Sequence, residues 1–71
     1  MIEKYLTTEK SRKLNELLKN IYNDDNFLLG IASMLETDEQ RDILIEEIEN
    51  GLDDWSVITL MAGDIADGLE V

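Results

Sequence analysis

The segment Asn26–Leu35, NFLLGIASML, most constrains the fold, because it carries no charge in a chain that is 32% Asp, Glu, Lys and Arg. As a helix it would be apolar over more than half of its circumference, and such helices are buried on most sides. Leu29 falls outside this wide apolar stripe. We therefore expect the segment at the centre of a helical arrangement, with Phe27, Ile31 and Met34 deepest.

The remainder of the chain predicts three amphipathic helices around this segment. Apolar residues recur with a helical period, and no run alternates with period two over the length of a strand. A chain of 71 residues forms one domain, residues 1–71. The expected fold is all-α, a compact bundle of four short helices over about 8–22, 26–36, 38–50 and 54–68.

The stability of so short a chain favours association. A domain of this size buries only about 60% of the surface that its unfolded chain exposes. The sequence contains no Cys or His, so neither a disulfide nor a zinc site is expected to strengthen it, and no metal or cofactor is assigned. A monomer and a homodimer both remain open.

Polar residues mark the ends of the predicted helices. Thr8 is a suitable cap for the first helix, and Thr37 with Gln40 forms a capping box at the start of the third. Gly51 follows Asn50 at the end of the third helix, where glycine favours a left-handed stop. In the fourth helix, Gly63 predicts a close approach of another helix, because glycine otherwise weakens a helix interior.

Helical spacing also predicts the buried stripes of the outer helices. The stripe of the first helix ends at Ile21 and Tyr22. In the fourth helix, an inward seam suited to packing against another helix is predicted at Ile58, Ala62, Ile65 and Leu69, and Trp55 widens it.

Arg41 is predicted on the inward side of the third helix, one turn before Leu44 and Ile45. Its aliphatic stem is expected to pack along the core while its guanidinium reaches water or an acid such as Asp38. The alternative is an ion pair that joins two chains.

The net charge of −11 is unevenly distributed along the sequence. Residues 1–23 contain five basic and three acidic residues, a balance of +2. Residues 24–71 contain fourteen acidic residues and Arg41, a balance of −13. Direct binding to nucleic acid is not expected, since phosphate contacts need a basic surface. Either the basic first helix lies across acidic helices, within one chain or between two, or the acidic surface is free for a basic partner.

The best candidate for such a surface is an acidic ridge on the outer face of the third helix. Neighbouring acids on one helix face repel one another, so the ridge carries a small cost in stability. Ile43 is predicted to be exposed among these acids. The predicted partner-binding residues, named the acidic ridge below, are Asp38, Glu39, Asp42, Ile43, Glu46, Glu47 and Glu49.

Other chemistry has little support in the sequence. A calcium loop that opens at Asp25 would place Gly30 and Glu36 correctly, but Phe27 and Leu29 stand where oxygen ligands are required. Without His, Cys or a Gly-rich phosphate loop, no catalytic residues are assigned and an enzyme is not expected.

The longest uncharged runs are too short to cross a bilayer, which needs roughly 20 apolar residues. The first residues are charged too early for the apolar core of a signal peptide. A cytoplasmic location and no membrane contact are therefore expected.

Two hypotheses on function follow. In the first, the chain is a small acidic protein-interaction module, a regulator or inhibitor that docks its acidic surface on a basic partner protein, such as one that handles nucleic acid. In the second, it is a structural homo-oligomer without a partner to inhibit. There the interface would include Ile43, Leu60 or Leu29.

Overall fold

A short 3₁₀ helix and four α-helices follow one another along the chain. The computed structural model describes residues 1–68. Over that range it contains no β-strand. The predicted all-α bundle is confirmed, and each helix boundary lies within two residues of its expected position. The 3₁₀ helix is Ile2–Tyr5, and the α-helices are α1 (Glu9–Ile21), α2 (Asp25–Met34), α3 (Asp38–Glu49) and α4 (Trp55–Ala66).

Each α-helix begins at a side chain that accepts a hydrogen bond from a backbone N–H of the first turn. The four capping residues are Thr8, Asp24, Thr37 and Asp54. The Thr8 cap and the Thr37–Gln40 capping box are therefore confirmed. Shortly after α3 ends, Gly51 adopts a φ of +114°, a left-handed conformation that glycine reaches without steric cost.

The helices pack as a ring. The main contacts of α1 are with α2 and α3, and α4 packs against the same two helices. All four contribute to a single core, and the radius of gyration of 10.6 Å is close to the roughly 11 Å expected for a compact chain of this length. The buried core residues are Leu14, Leu18, Phe27, Leu28, Ile31, Leu35, Leu44, Ile45, Ile58, Ala62 and Ile65.

The prediction that Asn26–Leu35 lies at the centre of the bundle is wrong, because α2 forms one side of the ring. Its inner side chains are buried, and Ile31 and Leu35 are the deepest of them. Met34, which was expected among the deepest residues, is only partly buried. A ring of four helices leaves the outer side of every helix open to solvent, and Ser33 is exposed on that side of α2.

Leu29 is partly buried by the N-terminal segment of the same chain. The 3₁₀ helix packs against α2. Between them runs a groove of about 530 Å³, whose lining includes Leu29, Ile2 and Leu6. A second copy is therefore not required to account for Leu29.

The predicted inward seam of α4 is confirmed at Ile58, Ala62 and Ile65, which are all buried. Its fourth predicted member, Leu69, lies outside the described residues. The close approach predicted at Gly63 is wrong, because a Cβ atom built there would meet no atom within 4 Å. The small residue of the seam is Ala62, which is fully buried.

Candidate functional site

The acidic ridge lies beside the basic side of α1 in the same chain. Lys10 Nζ forms an ion pair with the carboxylate of Asp42, and Lys13 Nζ lies 3.1 Å from Glu49 Oε2. All four side chains are about half exposed, so each pair contributes modestly to stability. These pairs support the interpretation that the charge asymmetry is partly satisfied within one chain.

Asp38 links the beginnings of α1 and α3. Its Oδ1 accepts hydrogen bonds from Thr8 Oγ1 at 2.8 Å and from Arg41 Nη1 at 2.6 Å. The Thr8 hydroxyl and then the Arg41 guanidinium hold the pKa of the Asp38 carboxyl below its usual range. Arg41 itself is buried, so the prediction that its stem packs along the core and its head reaches Asp38 is confirmed.

We name this region the paired face: Thr8, Lys10 and Lys13 of α1 with Asp38, Arg41, Asp42 and Glu49 of α3. Successive residues of α1 contact successive residues of α3, in the order Thr8–Asp38, Lys10–Asp42 and Lys13–Glu49. The helices α1 and α3 therefore run in the same general direction. Three of the seven predicted partner-binding residues therefore have partners inside the chain.

The other members of the acidic ridge occupy two different environments. Glu39 and Glu46 are exposed on the outer side of α3. Ile43 and Glu47 are partly buried, and Ile43 packs against the core, so its expected exposure is wrong. The reason is its position one turn after Gln40, whose Nε2 lies 3.5 Å from the carbonyl oxygen of Ile65. That side of α3 therefore turns towards α4.

Most acidic side chains have no cation nearby. In the described part of the chain, ion pairs engage Glu3, Glu16, Asp38, Asp42 and Glu49. Sixteen acidic residues lie at positions 1–68, so eleven of them have no described cation within 4 Å. The protein therefore presents a strongly acidic surface after its internal pairs are satisfied.

Exposed apolar side chains concentrate on α4. Leu60 is 72% exposed and Val57 is 41% exposed. The two lie one helical turn apart, and Asp64 follows one turn after Leu60 on the same side. The sequence contains no Lys or Arg after Arg41, so α4 supplies no cation of its own.

A second exposed apolar feature is the aromatic pair of Tyr22 and Trp55. Tyr22 caps the end of α1 and is 39% exposed, whereas Trp55 opens α4 and is 50% exposed. Their ring centroids are 5.2 Å apart, and the buried ring of Phe27 lies 5.6 Å from Tyr22. The helical pattern placed Tyr22 on a buried stripe and Trp55 in the α4 seam, so the sequence missed this pair.

Beneath the paired face, the core contains polar side chains. A cavity of about 10 Å³ is lined in part by Ser11, Asn15 and Arg41, all of which are buried. The Ser11 hydroxyl accepts from Thr8 N–H at 2.9 Å and donates to the Thr8 carbonyl at 2.7 Å. Asn15 Oδ1 accepts no hydrogen bond from residues 1–68. A buried acceptor without a donor costs roughly 1–3 kcal/mol.

Neither metal chemistry nor similarity to other proteins identifies a site. Among the residues that the structure describes, no three His, Cys, Asp or Glu side chains are grouped so that they could hold a metal ion. No helix within residues 1–68 is both long and apolar enough to cross a membrane. No protein-family model matches the chain, and neither a curated protein nor a solved structure is significantly similar to it.

Proposed function

We propose that this protein is a small acidic interaction module, a regulator or inhibitor that binds a basic surface of another protein. Its role is binding rather than catalysis, and it acts in the cytoplasm, where a chain without Cys has no need of an oxidising environment. The observation that carries the proposal is the set of eleven acidic residues without a described cation partner, in a chain whose net charge is −11.

The outer side of α3 is the centre of the proposed surface. Glu39 and Glu46 project there at a spacing of seven residues, and neither forms an ion pair with a described residue. Beyond the end of α3, Asp53 and Asp54 extend the negative charge into the turn before α4. Asp38, Asp42 and Glu49, the members of the acidic ridge that form ion pairs, stabilise the fold. Their negative charge also adds to the potential at the edge of this surface.

The partner class that fits this surface is a protein that handles nucleic acid. Carboxylates at regular intervals on a rigid helix can occupy sites that a protein has built for phosphates. Such binding would exclude the nucleic acid, and the module would then act as an inhibitor. Opposite charge would also speed association at low ionic strength.

The proposal is tested by affinity capture with a matched pair of charge variants. The immobilised wild type should retain proteins of high pI, identified by mass spectrometry, and release them as salt is raised to about 0.5 M, where exposed charges are screened. Glu39→Lys with Glu46→Lys should lose these proteins. Glu9→Lys with Glu16→Lys changes the net charge equally on α1 and should retain them.

Capture that persists at 1 M salt, or that survives the substitutions of Glu39 and Glu46, would contradict an electrostatic binding surface. Circular dichroism of each variant shows whether its helices remain formed. A purified captured protein can then be assayed for nucleic-acid binding in the presence of the module.

The second candidate function is a structural homo-oligomer, which the exposed Leu60 and Val57 favour. A dimer could also form through charge, with α1 of one copy bound to acidic helices of the other. The structure argues against that arrangement, because Lys10 and Lys13 already pair within the chain. Sedimentation velocity at low and high salt separates the two candidates. A dimer supports the homo-oligomer, and its persistence at high salt would indicate an apolar contact through Leu60 and Val57, whereas a monomer under both conditions argues against it.

A further inference from the structure

The aromatic pair forms a partly exposed platform at one end of the helix ring. Tyr22 and Trp55 come from opposite halves of the chain, and the angle between their ring planes is 30°. The buried Phe27 supports both, with ring centroids 5.6 Å from Tyr22 and 6.3 Å from Trp55. Because the two rings lie against each other and against the buried Phe27, the platform is already formed in the unbound protein.

Four carboxylates border this platform in sequence. Asp24 and Asp25 follow Tyr22, and the backbone N–H of Asp24 donates to the Tyr22 carbonyl at 3.0 Å, which makes a tight turn directly after Tyr22. Asp53 and Asp54 directly precede Trp55. Consecutive Cα atoms are about 3.8 Å apart, so the Cα atoms of Asp24 and Asp53 lie within about 7.6 Å of the Cα atoms of Tyr22 and Trp55, respectively.

No ion pair between described residues uses this charge. The sequence contains no Lys or Arg between Lys19 and Arg41 and none after Arg41. Lys19 pairs with Glu16, and Arg41 pairs with Asp38. None of the four Asp side chains forms an ion pair with a described residue. We name the two rings and these four Asp residues the aromatic corner.

We propose that the aromatic corner receives an arginine side chain of the basic partner protein, an inference that rests on the proposed function. A guanidinium is planar and stacks on Trp and Tyr rings, while its N–H groups reach nearby carboxylates. Asp25 and Asp53 are exposed and are not capping residues, so their oxygens are available to the guanidinium. Trp, Tyr and Arg are also the residues that most often dominate binding energy at protein interfaces.

A second copy of this chain is a poor occupant of the same corner. A symmetric contact would bring its four Asp residues against four identical ones, and like charges in contact cost free energy. Of the exposed cations on α1, Arg12 already donates to the carbonyl of Leu6 at 3.2 Å. Charge complementarity therefore favours a cation from a different protein.

The single tryptophan of the sequence provides the experiment, because its fluorescence reports directly on the corner. The full chain is titrated at low ionic strength with two synthetic peptides of equal length and charge, one of Arg-Gly repeats and one of Lys-Gly repeats. The arginine peptide should shift Trp55 emission and bind about threefold to tenfold more tightly than the lysine peptide, as expected for cation–π contact at a half-exposed ring.

Calorimetric titration of variants locates the effect. Trp55→Leu should bind both peptides equally, whereas Leu60→Ala, an exposed apolar control on another side of α4, should keep the preference for arginine. Should Trp55→Leu fail to fold, Asp25→Asn with Asp53→Asn leaves the rings and both helix caps in place. That variant should also reduce the preference for arginine.

The outcomes separate this inference from the proposed function. Equal binding of both peptides by the wild type, or an arginine preference that persists in Trp55→Leu, overturns the aromatic corner and leaves the acidic module standing. Failure of both peptides to bind at low ionic strength overturns the acidic module and the corner together. A dimer that Trp55→Leu disrupts would also overturn the inference, because a second copy would then occupy the corner.

Discussion

The paired face and the aromatic corner, two regions of the same small bundle, treat charge in opposite ways. On the paired face, carboxylates of α3 meet lysines and Arg41, and polar side chains lie beneath them in the core. At the aromatic corner, four carboxylates lie next to exposed rings in the sequence, and none of them forms an ion pair with a described residue. The same residue type therefore has two roles in one small molecule.

The difference shows how to divide an acidic sequence into structural and binding charge. An acid with a partner in the chain helps to orient the helices. An acid without one adds repulsion to the folded state, and an exposed aromatic ring beside it adds apolar surface in water. A basic partner protein that binds there would neutralise the unpaired acids and cover the exposed ring, so binding would remove both unfavourable contributions.

The largest expected effect comes from removing the buried cation of the paired face. Arg41→Ala should lower the free energy of unfolding by about 2–3 kcal/mol, because the core loses the arginine stem and Asp38 loses its partner. Urea unfolding followed by circular dichroism measures the change. Arg12→Ala, at an exposed position of α1, should change it by less than about 0.5 kcal/mol. Similar losses in both variants would refute a structural role for Arg41.

Two double variants that each replace two acids by lysines compare paired with unpaired carboxylates. Asp42→Lys with Glu49→Lys places new cations beside Lys10 and Lys13, and should lower Tm by about 5 °C. Asp64→Lys with Asp67→Lys changes the net charge equally but removes unpaired acids at the end of α4, where the helix dipole favours cations. That variant should raise Tm by about 2 °C. Thermal scans at low salt would contradict the comparison if both variants shifted Tm in the same direction.

The unpartnered Asn15 amide beneath the paired face gives a smaller effect. Asn15→Leu has nearly the same shape and removes the buried acceptor, so the free energy of unfolding should rise by about 1 kcal/mol. Asn20→Leu, at an exposed position of the same helix, serves as the control and should have little effect. A loss of stability in Asn15→Leu would show that the amide has a favourable partner in solution.

The smallest effect is the pH dependence that Asp38 contributes. Its pKa is lowered in the folded protein, so its stabilisation is fully present above the unfolded-state pKa of about 3.9 and is lost as pH falls through the folded-state pKa. Asp38→Asn should therefore be less stable than the wild type at pH 7, and the gap should close under acid. Chemical unfolding at several pH values measures it, with Glu39→Gln as a neighbouring control. A gap that is constant with pH would exclude this carboxylate as the cause.

The fold could be predicted from the sequence where local chemistry determines it. The caps at Thr8 and Thr37 depend only on residues within one turn, and so did the inward position of Arg41. The position of α2 could not be predicted, because a wide apolar stripe does not specify how many neighbours cover it. In the structure, part of that cover comes from the 3₁₀ helix, which the sequence did not predict as a separate element.

The candidate site was predictable only in its charge. The imbalance along the chain left open whether α1 would face acids of the same chain, and the partners of Lys10 and Lys13 depend on how α1 and α3 cross. Ser11 and Asn15 share the helical spacing of the buried leucines on α1. Their burial could have been predicted from that spacing, although their side chains are polar. The Tyr22–Trp55 pair joins residues 33 apart, which no local pattern encodes.

The order of helices around the ring has a consequence for how the chain folds. Consecutive helices form two hairpins, α1 with α2 and α3 with α4, and the core closes when these hairpins dock. Residues 1–35 contain five basic and five acidic residues, whereas residues 36–71 contain twelve acidic residues and Arg41. Docking therefore joins a hairpin without net charge, whose α1 carries lysines, to a strongly acidic hairpin. Attraction between the lysines of α1 and the acids of the second hairpin should guide it. If electrostatic attraction guides docking, stopped-flow refolding should slow as salt is added. The ion pairs of the paired face would then be contacts that form while the two hairpins dock.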